Sequence, residues 1–247
     1  MEENRMPHIQ LPEKLGIPNV ILPGDPGRVP AVGAMLENAR ELACNREFRS
    51  IAGEYKGRQV LVTSTGIGAP STAIAMEELI RCGGRYFIRI GSGGALRSEL
   101  NIGDLVLASG AVRDDGTTEQ LVEAAFPAIA DHVLLNACQA AAERLRAVYC
   151  IGIIRSHSTL YNDRNEDIYR YWRSRNVTAS DMETSAVFVE AALHGVRAAS
   201  IINIVTAFHE TIGESVSRYV NGDALMKKGE ELEIRTALEA FATISGS

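Results

Sequence analysis

The stretch Arg85-Tyr-Phe-Ile-Arg-Ile-Gly-Ser-Gly-Gly-Ala95 carries an aromatic and β-branched run, Arg85–Ile90, straight into a glycine-rich segment. Strand-formers bounded by glycine read as a buried strand closed by a turn, here Gly91-Ser-Gly-Gly94. The same pattern stands twice upstream. Asn19–Leu22 leads into Gly24-Asp-Pro-Gly27, and Gln59–Ser64 leads into Thr65-Gly-Ile-Gly68. Further strands read over Asp104–Ala108, Val148–Ile154 and Ala198–Val205. Between them, Gly27–Leu36, Pro70–Cys82, Asp131–Arg146, Glu183–His194 and Ala224–Ala242 have the amphipathic pattern of helices. This alternation predicts an α/β fold, an α/β/α sandwich around a mixed, largely parallel central sheet. With no repeat, low-complexity tract or long linker, residues 1–247 read as a single domain.

Composition narrows the function classes. The 247 residues are 46% hydrophobic and 23% charged, as in globular chains and unlike disordered ones. A net charge of −6 with dispersed basic residues argues against a nucleic-acid surface, which shows as a basic patch or stripe. It still allows a few arginines to converge on a small anion. Cys44, Cys82, Cys138 and Cys150 form no CxxC pair and read as free thiols in a reducing compartment, not as a disulfide or zinc site. The polar start Met1–His8 lacks the apolar core of a signal peptide. No run approaches the roughly 18 apolar residues of a membrane span. The expectation is a soluble, cytoplasmic protein with no metal and no membrane or nucleic-acid partner.

Ligands in open α/β folds sit at the carboxyl ends of the strands, where the three glycine segments fall. Glycines there let the backbone approach a ligand, and successive N–H groups form an anion nest. None has the spacing of a dinucleotide fingerprint or a Walker loop, and each alone is equally an ordinary turn. Two arginines sharpen the signal. Arg28 follows Gly24-Asp-Pro-Gly27, and Arg89 sits among Phe87, Ile88 and Ile90. A guanidinium in such surroundings requires an anion or an internal carboxylate. A second cluster, Ser180-Asp-Met-Glu-Thr-Ser185, opens an apolar helix. Asp181 and Glu183 share a face if extended and diverge by about 200° if helical. At a strand-to-helix junction one can face a cleft while the other caps the helix; the plainer alternative is an acidic helix start favoured by the dipole.

Taken together these segments resemble the nucleoside phosphorylase-I family, and its uridine phosphorylase branch more than its purine branch. The blocks that carry the resemblance are Pro7-His8, Gly24–Val29, Asn45–Phe48, Ser64–Thr72, Arg89–Ala95, Val112–Gly116 with Phe126–Ala128, and Asp181–Glu183, in family order. The resemblance implies a phosphate cradle of Gly24, Arg28, Arg89 and Ser92. Arg46 is similar to the family arginine that reaches the phosphate of a neighbouring subunit, and His8 to the residue that crosses the same interface toward the ribose 5′-hydroxyl. Glu183, with Met182, looks like the ribose clamp, and Arg89 and Glu183 like the catalytic pair. Phosphate would be co-substrate and nucleophile, with no metal or organic cofactor. The family's shared sites imply a homodimer, or a hexamer built as a trimer of dimers.

The base pocket departs from that pattern. Uridine phosphorylases carry a Gln and an Arg, two apart, that read the uracil edge. In ungapped register Arg164 and Glu166 hold those positions, and Leu160, followed by Tyr161, holds the stacking position. The acid of the purine branch is missing too, since Thr206-Ala207 stands where Ser-Asp would; His209 and Glu210 are the nearby candidates to replace it. The expectation is phosphorolysis of a nucleoside or deoxynucleoside, uridine-like first, through an atypical base pocket. The alternatives are a purine nucleoside phosphorylase, and a nucleosidase or nucleoside-binding relative without phosphorolysis.

Overall fold

A computed structural model describes residues 4–208, 210 and 224–244. Its strands are β1 (Asn19–Pro23), β2 (Glu37–Asn45), β3 (Phe48–Tyr55), β4 (Arg58–Thr63), β5 (Tyr86–Ala95), β6 (Leu105–Asp114), β7 (Ala128–Ile129), β8 (Tyr149–His157), β9 (Ala179–Asp181) and β10 (Arg197–Thr206). Its helices are α1 (Arg28–Gly33), α2 (Ala69–Arg81), α3 (Thr118–Leu121), α4 (His132–Arg144), α5 (Asn165–Arg173), α6 (Thr184–Leu193) and α7 (Ala224–Thr243). The order across the sheet is β2-β3-β4-β1-β5-β9-β8-β6-β10, and β10 also pairs back to β5. Strands β5, β10, β6, β8 and β9 therefore close a ring. Pairing is parallel along β4-β1-β5-β10 and β6-β8-β9, and antiparallel elsewhere.

Side-chain alternation sorts the strands onto two cores. Val20, Leu22 and Phe87 pack with Met76 and Leu79 of α2 and Val187 and Phe188 of α6. Ile21, Ile88 and Ile90 pack with Val29 and Val32 of α1, Leu134 and Cys138 of α4, and Leu238 and Phe241 of α7. The period-two pattern thus gives each face of the sheet its own helix layer. Asp131 caps α4, its carboxylate accepting from the Leu134 N–H at 2.9 Å.

Two expectations need correcting. Gly91–Gly94 is not a turn: β5 runs through it, with Gly91, Ser92 and Gly93 paired to Ile202, Asn203 and Ile204. A Cβ on Gly93 would lie 2.5 Å from Ile202 Cγ2 and 2.7 Å from the Ser180 carbonyl oxygen. Glycine is there for close approach within a sheet. Helix α1 also stops at Gly33, short of the expected Leu36, because the chain turns into β2 at Glu37.

Candidate active site

A cleft of about 1310 Å³ opens at the carboxyl ends of the parallel strands. Gly24 and Asp25 beyond β1, Gly66 and Ile67 beyond β4, the end of β5, and Thr206–Phe208 at and beyond the end of β10 all line it. Asp181, Met182 and Glu183 enter from the β9–α6 junction.

Arg89 is the buried cation at its floor, 2% exposed. Its Nε donates to Asp181 Oδ2 at 3.0 Å and its Nη2 to Glu183 Oε2 at 2.5 Å. Its Nη1 is buried with no hydrogen-bond partner among the described residues. A Cβ on Gly24 would lie 3.3 Å from the Gly66 carbonyl oxygen and 3.9 Å from that Nη1, so the first two loops meet closely beside the guanidinium. The two acids of the cluster divide their tasks. Asp181 accepts from Arg89, from Ser156 Oγ at 2.6 Å and from the Thr184 N–H at 2.9 Å, and so ties the start of α6 to the floor. Glu183 instead accepts from the Gly68 N–H at 2.6 Å. Gly68 precedes α2 at φ +93°, in the half of backbone space that glycine enters freely, and this aims its amide at the carboxylate. Burial pushes the Glu183 carboxyl above its ordinary range; Arg89 opposes the shift and Asp181 reinforces it.

Arg28 sits beside Arg89. Its Nη2 lies 3.1 Å from Ser92 Oγ, and its Nη1 lies 3.0 Å from Glu233 Oε1 of α7. Glu233 Oε2 accepts from the Gly91 N–H at 3.1 Å. Burial raises the Glu233 carboxyl to about 8, against the pull of Arg28. Sequence reasoning missed Glu233, because only the docking of α7 brings it under β5. Its one signal was an acid next to Ile234 in a helix read as amphipathic. Gly24, Arg28, Arg89 and Ser92, together with Met182 and Glu183, thus meet in one cleft. Two guanidinium groups, a hydroxyl and glycine backbone there can hold a tetrahedral oxyanion, with a carboxylate beside it.

His8 and Arg46 lie elsewhere, and close to each other. Arg46 is exposed at the tip of the β2–β3 hairpin. His8 Nδ1 is 2.7 Å from Glu78 Oε1, and the His8 carbonyl accepts from Asn45 Nδ2 at 2.7 Å. Neither residue lines the cleft of its own chain.

At the far end of the cleft, Leu160, Tyr161 and Glu166 form part of the wall, while Arg164 is exposed and does not line it. Helix α5 explains the difference. At 100° per residue, positions 165, 166, 169 and 173 fall within an arc of about 100°, and position 164 lies a further 100° outside it. Asn165, Glu166, Tyr169 and Arg173 all line the cleft. Tyr169 and Arg173 were missed because this polar helix was not read as one. His157 lines the same wall; burial lowers its pKa and favours the neutral ring. Glu210 Oε2 accepts from the Ala207 N–H at 3.0 Å, and His209 lies outside the described residues. A separate trio of potential metal ligands, Glu77, Glu190 and His194, sits on and just beyond α2 and α6 and contributes nothing to the cleft. No described helix is long and apolar enough to cross a membrane.

The sequence profile of the Phosphorylase superfamily matches residues 18–236. A uridine phosphorylase of Thermococcus kodakarensis is 39% identical over 222 residues, covering 83% of this chain and 80% of that protein. A guanosine phosphorylase of Halorubrum lacusprofundi is 36% identical over 200 residues, covering 81% and 83%. The crystal structure of a uridine phosphorylase from Vibrio fischeri superposes with a TM-score of 0.90 at 39% identity, covering 97% of this chain and 98% of that one.

Proposed function

The chain belongs to the phosphorylase superfamily, and from that premise we propose that it cleaves the N-glycosidic bond of a nucleoside with inorganic phosphate. The products are a free base and a ribose or deoxyribose 1-phosphate. The observation that carries this reading is the buried Arg89, which holds Glu183 on one edge and presents Nη1 beside Gly24. A phosphate seated between Arg28, Arg89 and Ser92 would stand next to a sugar held by Glu183 through its 2′- and 3′-hydroxyls. Attack at C1′ then proceeds through a cationic sugar, stabilised by the adjacent phosphate charge. The reaction needs no metal or organic cofactor.

Uridine-like nucleosides are the first substrates to try, in line with the Thermococcus and Vibrio relatives. A purine is the second reading, supported by the guanosine phosphorylase of Halorubrum. The test is a nucleoside panel assayed for base release with and without phosphate. The expected result is release that rises with phosphate and stops without it. Equal rates in both conditions would make the enzyme a hydrolase, and tight nucleoside binding with no release over hours in phosphate would make it a binding protein.

His8 and Arg46 fit a site completed by a second copy, since they cluster outside their own chain's cleft. In a two-fold pair each cleft would use one subunit's Glu183 and the other's Arg46. Coexpressed Arg46→Ala and Glu183→Ala chains should therefore regain activity that neither variant has alone. A fully active monomer would sink the shared site.

A further inference from the structure

We propose that Arg173 is the residue that reads the departing base, donating from its guanidinium to a ring carbonyl oxygen and so selecting nucleosides of oxo-bases over those of amino-bases. This rests on the phosphorolytic reading above and assigns the end of the cleft where Arg164 is turned away.

Three observations converge on Arg173. It is the last residue of α5 and falls on the same face as Glu166 and Tyr169, which also line the cleft. Its guanidinium lies over the Phe208 ring at 4.0 Å from the centroid, and its Nη2 donates to the Phe208 carbonyl at 2.9 Å. Stacking and one hydrogen bond fix the plane of the fork, which lowers the cost of ordering it around a ligand. Its Nε is buried, and among the described residues it has neither a hydrogen-bond partner nor a carboxylate in reach of the guanidinium. A cation held rigid and short of acceptors in a cleft calls for a ligand acceptor.

The chemistry of the base supplies one. When the glycosidic bond breaks, its electron pair stays with the base, and the negative charge spreads onto ring carbonyl oxygens. A fixed cation at such an oxygen strengthens its interaction as the bond breaks, and this lowers the barrier. Uracil, hypoxanthine and guanine present a carbonyl oxygen where cytosine or adenine presents an amino group. An amino group turned toward a guanidinium leaves two donors facing each other, which costs affinity.

Arg173 also braces the loop beyond β10, so the test must separate reading from bracing. The expected result for Arg173→Ala is a fall in kcat/KM on the order of 100-fold for uridine and inosine, with the phosphate KM unchanged. Discrimination against cytidine and adenosine should shrink, and added guanidinium ion should restore part of the rate. A brace alone would lower the melting temperature and weaken all substrates alike. Free uracil and hypoxanthine titrated by calorimetry test the assignment without turnover. Binding by the wild type that is lost in Arg173→Ala and partly kept in Arg173→Lys upholds it, even if no phosphorolysis is found and the reaction assigned above fails. It is overturned if wild type and Arg173→Ala agree within about threefold for both bases, since a lost charged hydrogen bond should exceed that, or if the wild type binds neither.

Discussion

Arg89→Ala should lower kcat/KM for phosphorolysis by on the order of 10³-fold and cost about 3–5 kcal/mol of stability. The two effects share a cause. Removing the guanidinium takes a fixed cation from the position proposed for phosphate and leaves Asp181 and Glu183 buried without the charge that offsets them. Asp181 keeps Ser156 and Thr184 as donors, and Glu183 keeps the Gly68 N–H, so the fold weakens without being emptied of partners. Arg89→Lys separates the terms. Lysine restores a charge but cannot reach both acids while presenting a third nitrogen, so stability should recover more than rate does. Phosphate saturation curves and thermal melts on both variants provide the check. A phosphate KM within about twofold of wild type in Arg89→Ala, too small for a lost charged contact, would remove Arg89 from the phosphate site.

Arg89 was legible because its surroundings contradict its charge: a guanidinium between Phe87, Ile88 and Ile90 requires a partner. The parallel strands other than the three-residue β9, and the helices that cover them, were legible for the same reason, since burial writes its period into the sequence. Other parts were not. Strand β2 escaped because its first five residues, Glu37-Asn-Ala-Arg-Glu41, are all exposed and show no alternation to read, and the half-buried β3, paired to it, was not read either. Helix α5 has no fully buried residue, so only its polar pattern distinguished it from a loop. Its register, which turns Arg173 in and Arg164 out, comes from where the helix starts rather than from residue type. Glu233 reaches Gly91 across 142 positions of chain, a contact that only the packing of α7 creates.

The glycines of β5 carry the same lesson into an experiment, because neighbouring positions should respond in opposite ways to one added methyl group. Gly93→Ala would place Cβ against Ile202 Cγ2 and the Ser180 carbonyl, and a backbone oxygen at 2.7 Å cannot swing aside. Strands β9 and β10 must both shift, which should cost about 3 kcal/mol or more and leave little folded enzyme. At Gly94 the nearest atoms would be Ser180 Oγ at 3.5 Å and Thr206 Cβ at 3.6 Å, ordinary contacts, so Gly94→Ala should change stability by less than about 1 kcal/mol. Gly91 is the informative intermediate. A Cβ there meets Arg89 Nη2 at 2.5 Å and its Cζ at 2.7 Å, both on a side chain. The guanidinium can move, but only by leaving Glu183 and the position assigned to phosphate. Gly91→Ala should therefore fall between its neighbours in stability, losing part of the roughly 3–5 kcal/mol that Arg89→Ala costs because the buried pair with Glu183 is strained. It should lose activity almost as Arg89→Ala does, by on the order of 10²-fold or more. Melting temperatures and kcat/KM for the three variants test this. If all three lose stability equally, the segment behaves as a turn that needs glycine throughout, and the close approach seen at each position has no separate consequence.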